Sequence, residues 1–362
     1  MNGPSSATYV VTAGGTGGHV FPALALVREL QRRGRSVAML TDRRGARFLS
    51  ADVPHHLISA ASPSGGLRAR LAGGLALLQG TRQSLHLIGR LRPAAVACFG
   101  GYASFPAAFA AFLRRVPVMI HEQNAVFGRA NRLAARFARL VALSFEDTEA
   151  VPTSRGASRI VTGNPVRPGF APSGRRDDGG SVLLVLGGSQ GARVLSDVVP
   201  EALVALPQGL RSRLTVWQQC RAEDLDRVRS VYGKSGIDVE LSAFFDDVPE
   251  RMARASLVIG RSGASTVAEI LALGKPSLLI PYLHAADGHQ HANAERLARA
   301  GAALLVPQDR LTATMLALEL APLLDGPARL AAMGDAARTI AHPGAARRLA
   351  DAIEELAAEA CS

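Results

Sequence analysis

Cysteine is scarce in this sequence. Cys98, Cys220 and Cys361 are the only three in 362 residues, odd in number and far apart. Neither a disulfide framework nor a structural zinc pattern can be built from them, and a reducing compartment fits. Long apolar runs are missing too. None approaches the 18 residues a spanning helix needs. Residues 1–7 carry no basic segment and Tyr9–Val11 is too short for a signal-peptide core, so neither a transmembrane helix nor a secretory leader is expected. Aromatics make up 5% of a chain that is 48% hydrophobic, the composition of an Ala/Leu-rich globular protein. No helix-turn-helix, zinc finger or RNP-like aromatic pattern is visible, so no nucleic-acid partner is expected.

What is present is an uneven charge. Residues 1–160 carry 20 arginines against 7 acidic residues, a net +13, whereas residues 161–362 come to −2. A basic half joined to a near-neutral half suggests that one half meets a polyanion. Nucleic acid and an anionic membrane both qualify, and the missing nucleic-acid motifs favour the membrane. Leu67, Leu71, Leu75, Leu78, Leu85 and Ile88 keep helical spacing, with Arg68, Arg70, Arg82, Arg90 and Arg92 between them. Gly73, Gly74 and Gly80 predict that this helix is split in two. It reads either as a pair packed on a sheet or as a surface lying on anionic lipid.

Glycine-rich turns punctuate the chain. Strand Tyr9–Val11 leads into Ala13-Gly-Gly-Thr-Gly-Gly-His19, and Pro22 is expected to open the helix that Gly34 stops. Ser36–Leu40 is the next strand; Asp42 is the nearest acidic residue, which makes a dinucleotide fingerprint weak. Ala94–Phe99 precedes a second turn, Gly100-Gly101-Tyr102, and Val116–Ile120 ends in His121-Glu-Gln-Asn124. Polar clusters at a strand's carboxyl end are where doubly wound folds keep their ligands. The stretch 164–180 reads as a linker, after which strand Ser181–Leu186 and the turn Gly187–Ala192 restart the pattern. The expected organisation is therefore an α/β protein of two Rossmann-like, doubly wound domains facing across a cleft: 1–163, linker 164–180, 181–340, and a C-terminal helix within 341–362 that packs back on the first domain.

The densest stretch is Leu257–Asn293. Strand Leu257–Ile259, a turn bracketed by Gly260 and Gly263, a helix through Glu269 and strand Ser277–Ile280 would place a positive helix end at the sheet's carboxyl edge, where phosphates bind. Glu269, a carboxylate beside an anion site, could grip two ribose hydroxyls. Asp224-Leu-Asp226 fits the Asp-x-Asp metal signature but lies in a charged helix. His284, Asp287, His289 and His291 could be drawn as a metal cluster, but they lie in the turn of the same stretch that the family resemblance given below implies for donor binding. No metal site is expected.

Six pieces in order, Thr12–Pro22, Gly100–Tyr102, His121–Asn124, Gly163–Arg167, Gly187–Ala192 and Arg261–Glu269, with Gln290 and Asn293, resemble the MurG family, the UDP-N-acetylglucosamine transferases of peptidoglycan synthesis with the GT-B fold. The resemblance spans nearly the whole chain. It implies inverting transfer of GlcNAc from UDP-GlcNAc to the C4 hydroxyl of the muramyl sugar of a prenyl-pyrophosphate-linked acceptor, lipid I, to give lipid II, by a peripheral protein at the cytoplasmic membrane face. It implies donor contacts from Thr16, Gly17, Gly18, Asn124, Arg167, Ser189, Phe245, Ala264, Ser265, Thr266, Val267, Ala268, Glu269 and Gln290, and acceptor contacts from Gly100, Gly101 and Tyr102, which with the first turn would meet the acceptor's diphosphate. Helix N-termini with Arg167 or Arg261 could neutralise departing UDP without a cofactor. Inversion needs a general base, for which His19 is the first candidate and Glu122 the second. Two departures stand out: Gln218-Gln-Cys-Arg221 where the family has His-Gln-x-Gly, and Ser265 where an aliphatic residue is common. They leave open a paralogue acting on another prenyl-phosphate-linked acceptor. A UDP-GlcNAc 2-epimerase or a non-catalytic binding module are the other readings.

Overall fold

The computed structural model describes residues 7–61, 66–152, 156–170, 181–188 and 191–360. The chain divides into two compact units, residues 1–167 with 342–362, and residues 168–341.

The first unit is built on strands β1 (Thr8–Thr12), β2 (Ser36–Thr41), β3 (His55–Leu57), β4 (Ala95–Cys98), β5 (Val118–Glu122), β6 (Leu140–Leu143) and β7 (Ser158–Val161). All pair in parallel, in the order β3-β2-β1-β4-β5-β6-β7. A sheet covered on both faces needs apolar residues at consecutive positions, and that is why these strands read as unbroken apolar runs. Tyr9 and Val11 point to one face, onto helix α1 (Gly17–Arg32) and the C-terminal helix Ala345–Glu359, through Leu26, Leu30, Leu349, Ile353 and Leu356. Val10 points to the other face, with Ile88 and Ala107 of helices α2 (Leu67–Leu91) and α3 (Ser104–Leu113). Arg33 ties the C-terminal helix to α1, donating to Asp351 and Glu354 at 2.7 Å each.

Two expectations about helices are corrected. The first helix starts at Gly17, not Pro22, which lies inside it. The glycine turn is thus shorter than expected, and its last residues form the helix's first turn. The second helix is not split: α2 runs unbroken for 25 residues. A helical glycine costs only about 1 kcal/mol, and Gly80 is required by packing. A Cβ there would lie 2.0 Å from the Ser59 carbonyl oxygen. The outer face of α2 exposes Leu71, Leu75 and Leu78, each more than half accessible, and Phe112 and Leu113 are exposed on the adjoining α3. Among the described residues, no helix is long and apolar enough to cross a membrane.

The second unit repeats the plan with β8 (Ser181–Leu186), β9 (Leu214–Gln219), β10 (Asp238–Ser242), β11 (Leu257–Gly260), β12 (Ser277–Leu279) and β13 (Ala303–Leu305). These are again all parallel, in the order β10-β9-β8-β11-β12-β13. Its core joins Leu183, Val185, Val216, Ile259 and Leu278 to Leu195, Val199, Leu316 and Leu320 of the covering helices.

Candidate active site

Each sheet has a point where the strand order reverses, between β1 and β4 in the first unit and between β8 and β11 in the second. Connections leave in opposite directions there, and the crevice outside the carboxyl ends binds ligands. The glycine turns follow these four strands.

In the first unit the two turns interlock. Gly14 N donates to Gly100 O at 3.3 Å. Gly101 has φ +73°, and a Cβ on it would lie 2.4 Å from the Gly14 carbonyl oxygen, so only glycine permits this approach. Ser104 Oγ accepts from Gly100 N and donates to Gly100 O, fixing the second turn, which also carries Tyr102. Asp42 fixes the first: its buried Oδ1 accepts from Gly15 N at 3.0 Å and Gly45 N at 2.7 Å. Thr16 is the N-cap residue of α1 in extended conformation, and Gly17, Gly18 and His19 form the first helical turn with no acidic residue in it. Its free N–H groups and the helix dipole therefore favour an anion. The Arg167 guanidinium lies 4.7 Å from the Phe21 ring, which brings that cation to α1.

The cluster after β5 divides its labour. Glu122 is 1% exposed. Its Oε1 accepts from Asn124 N at 3.0 Å and Asn124 Nδ2 at 3.1 Å, and its Oε2 from Gly128 N at 2.9 Å and Asn131 Nδ2 at 2.8 Å. Four donors on one carboxylate make it the anchor of the loop that carries Asn124. His19 Nδ1 lies 3.1 Å from Gln123 Oε1. His121 is fully buried, and burial pushes its imidazole down to about 4. Its Nε2 donates to Gly163 O at 3.0 Å.

In the second unit the turn after β8 has Gly188 at φ +80° and Gly191 at φ +67°; Ser189 lies outside the described residues. The turn after β11 ends in Gly263, the N-cap residue of the helix Ala264–Leu273. Ala264, Ser265 and Thr266 open that helix without an acidic residue, Val267 packs into the core, Ala268 is half-buried and Glu269 is buried. The Ser265 hydroxyl is buried with no hydrogen-bond partner. Gln290 is drawn to the same turn: Ser262 Oγ donates to Gln290 O at 2.7 Å, Asn293 Nδ2 donates to Ser262 O at 3.0 Å, and Gln290 Oε1 accepts from Tyr282 N at 2.9 Å. Phe245 stands at the same carboxyl edge, in the turn after β10, buried beneath the Arg251 guanidinium at 4.2 Å. Arg261 donates through Nη1 to the carbonyls of Ile280 and Pro281, at 2.9 and 3.1 Å. Its charge therefore braces the β12 loop, and burial pulls its guanidinium below the ordinary value.

Asp224 and Asp226 do not converge. The first is buried and accepts from Arg227 at 2.8 Å; the second is fully exposed and accepts from Arg229. Among the described residues, no group of three His, Cys, Asp or Glu side chains is placed to hold a metal ion. The Gln218–Arg221 departure is absorbed locally. Gln218 is buried and accepts from the Tyr232 hydroxyl at 2.8 Å, while Arg221 packs on Gly191. Sequence reasoning missed three residues that organise the first site: Asp42, Gln123 and Asn131. A carboxylate directly after β2 and a polar run after β5 were the available signals.

Residues 9–143 match the glycosyltransferase family 28 N-terminal domain and residues 182–356 its C-terminal domain. A protein of Rhodospirillum centenum named UDP-N-acetylglucosamine–N-acetylmuramyl-(pentapeptide) pyrophosphoryl-undecaprenol N-acetylglucosamine transferase is 50% identical over 357 residues, 96% of this chain and 94% of that protein. The crystal structure of Acinetobacter baumannii MurG superimposes with a TM-score of 0.79 at 30% identity, over 96% of this chain and 99% of that one. A UDP-GlcNAc 2-epimerase from Neisseria meningitidis, bound to UDP-GlcNAc, shares the fold alone, with a TM-score of 0.65 at 15% identity over 96% of this chain and 100% of that one. The chain belongs to glycosyltransferase family 28, and within it to the N-acetylglucosamine transferases that bear the Rhodospirillum protein's name.

Proposed function

We propose that this protein moves GlcNAc from UDP-GlcNAc to the C4 hydroxyl of the muramyl sugar of lipid I, with inversion, to give lipid II. The observation that carries the reading is the paired design: each sheet sets a glycine turn and a helix N-terminus free of acidic residues at its switch point. Donor and acceptor each bear a diphosphate, so two anion sites suit a transferase, whereas an epimerase has one diphosphate substrate. Glu269 takes the ribose, Gln290 the sugar, and the Ala264–Thr266 helix end the UDP diphosphate. The turns at Gly14–Gly18 and Gly100–Tyr102 take the acceptor diphosphate. His19 removes the proton from the attacking hydroxyl, and the saturated Glu122 carboxylate holds the loop. Helix ends and Arg167 offset the charge on departing UDP, without a metal.

The test is transfer of radiolabelled GlcNAc to a lipid I analogue in EDTA, beside other prenyl-linked sugars. UDP-ManNAc formed without acceptor would establish the epimerase instead. His19→Ala should lower kcat far more than it raises donor KM, and an unchanged kcat refutes the base. Glu269→Ala should weaken UDP binding by calorimetry; unaltered affinity refutes the ribose role.

The protein acts as a peripheral protein on the anionic cytoplasmic face of the membrane. The exposed Leu71, Leu75 and Leu78 stripe, bordered by Arg68, Arg70 and Arg82, supports this reading. Co-sedimentation with anionic vesicles should exceed that with neutral ones and fall when the three leucines become serine. Equal binding to both vesicle types would refute an electrostatic contribution.

A further inference from the structure

We infer that Gln123 and His121 are positioning residues for this reaction: anchored on the Gly163 carbonyl, they hold His19 as its Nδ1–H tautomer and leave Nε2 as the basic nitrogen. The inference rests on the reading of His19 as the base.

The chain of hydrogen bonds is read from its fixed end. Gly163 has φ +79°, and a Cβ on it would lie 2.3 Å from His342 Cβ, so only a glycine can pack its backbone this closely against residue 342. Its carbonyl oxygen can only accept, so His121 Nε2, at 3.0 Å, carries the proton. Burial keeps this imidazole neutral, and Nδ1 is then a lone pair. One end of the Gln123 amide lies 2.8 Å from Phe99 O, 3.0 Å from His121 O and 3.1 Å from His121 Nδ1. Three acceptors surround that end, so it is the NH2 group, and the orientation of the amide is settled by its surroundings. Oε1 therefore faces His19 Nδ1 at 3.1 Å, and His19 must donate. The ring also lies close to Gly100, where a Cβ would come within 3.0 Å of Nδ1 and 3.1 Å of Cε1, so only glycine leaves it this room. Among the described residues, His19 Nε2 has no hydrogen-bond partner.

The consequence is chemical. A neutral imidazole in water prefers the opposite tautomer, with the proton on Nε2 and the lone pair on Nδ1. Left to itself, His19 would turn its basic nitrogen toward Gln123. The bond one ring nitrogen makes decides which nitrogen can take a proton. Gln123 makes that decision here, and His121 fixes the direction of Gln123.

The experiment is nitrogen NMR of protein labelled with 15N-histidine, with the His19 signals assigned by their loss in His19→Ala. Wild-type protein should show His19 protonated at Nδ1 in its neutral form. Gln123→Met, which keeps the volume and removes the acceptor, should shift His19 to the Nε2–H form. It should also lower kcat about tenfold or more, with donor KM unchanged. Wild-type His19 protonated at Nε2, or a tautomer unaltered by Gln123→Met, overturns the inference; the wild-type spectrum decides even if the variant does not fold. A shifted tautomer with undiminished kcat would sustain the positioning by Gln123 and refute His19 as the base.

Discussion

Replacing Glu122 by glutamine separates a group that holds structure from one that does chemistry. In the wild-type protein, both carboxylate oxygens are filled, Oε1 by two donors from Asn124 and Oε2 by Gly128 N and Asn131 Nδ2. An amide can satisfy only one of these pairs, because its NH2 end then faces two N–H groups. Hydrogen bonds to a charged acceptor contribute about 1.5–3 kcal/mol each, so losing two amounts to about 3–6 kcal/mol before the loop relaxes. For a domain of this size, even 3 kcal/mol lowers Tm by roughly 6–12 °C. The assay is thermal and urea unfolding alongside steady-state kinetics. Glu122→Gln should unfold earlier and lose donor affinity through a displaced Asn124. A variant with wild-type unfolding and no measurable kcat would refute this reasoning and make Glu122 a reacting group.

Other outcomes follow from single observations. Because burial holds His121 near 4 and the unfolded chain titrates near 6.5, the unfolded state binds the extra proton between those values. His121's contribution to stability is therefore complete above about pH 6.5 and falls by roughly 3 kcal/mol as pH drops toward 4. Urea midpoints at pH 7 and 5 test this, and His121→Phe should flatten the slope. Gly101→Ala combines a positive φ, costing about 1–2 kcal/mol, with a clash on the Gly14 carbonyl costing about 1–3 kcal/mol. A loss of stability below 1 kcal/mol in denaturation would count against the interlocked turns. Ile353→Ala should destabilise the first unit by about 2–5 kcal/mol, read from its unfolding transition, since Ile353 is fully buried among residues of α1 and the sheet.

The elements easiest to read in the sequence were those specified over a short distance. Tyr9–Val11 and Leu257–Ile259 are apolar runs that lead into glycine turns, and both are strands feeding switch-point turns. What escaped was set by distant partners. Gly73, Gly74 and Gly80 suggested a broken helix because nothing nearby shows that Ser59 would press against Gly80. Pro22 looked like a helix start because proline favours that position, yet the turn before it had already adopted helical geometry. Gln123 stood in a polar run that marked the site, but its role in it was hidden, since its partner His19 lies 104 residues away and the anchor of His121 lies 42 residues on. Arg261 read as a cation for phosphate, and its sequence neighbours gave no sign that one end of its guanidinium is held by the carbonyls of residues 280 and 281.

The C-terminal helix has a consequence for how the protein is made. Residues 345–359 supply Leu349, Ile353 and Leu356 to the first unit's core, although residues 168–341, the whole second unit, are synthesised before them. Domains emerging from a ribosome ordinarily fold in the order in which they are made. In this chain the order is inverted at the finish. The second unit is continuous in sequence and can complete its core while the first still exposes the face of α1 and β1 that waits for its last helix. A nascent chain halted before residue 345 would carry a finished second unit and an unfinished first one. That makes the closing helix the step at which a chaperone or a protease would find this protein.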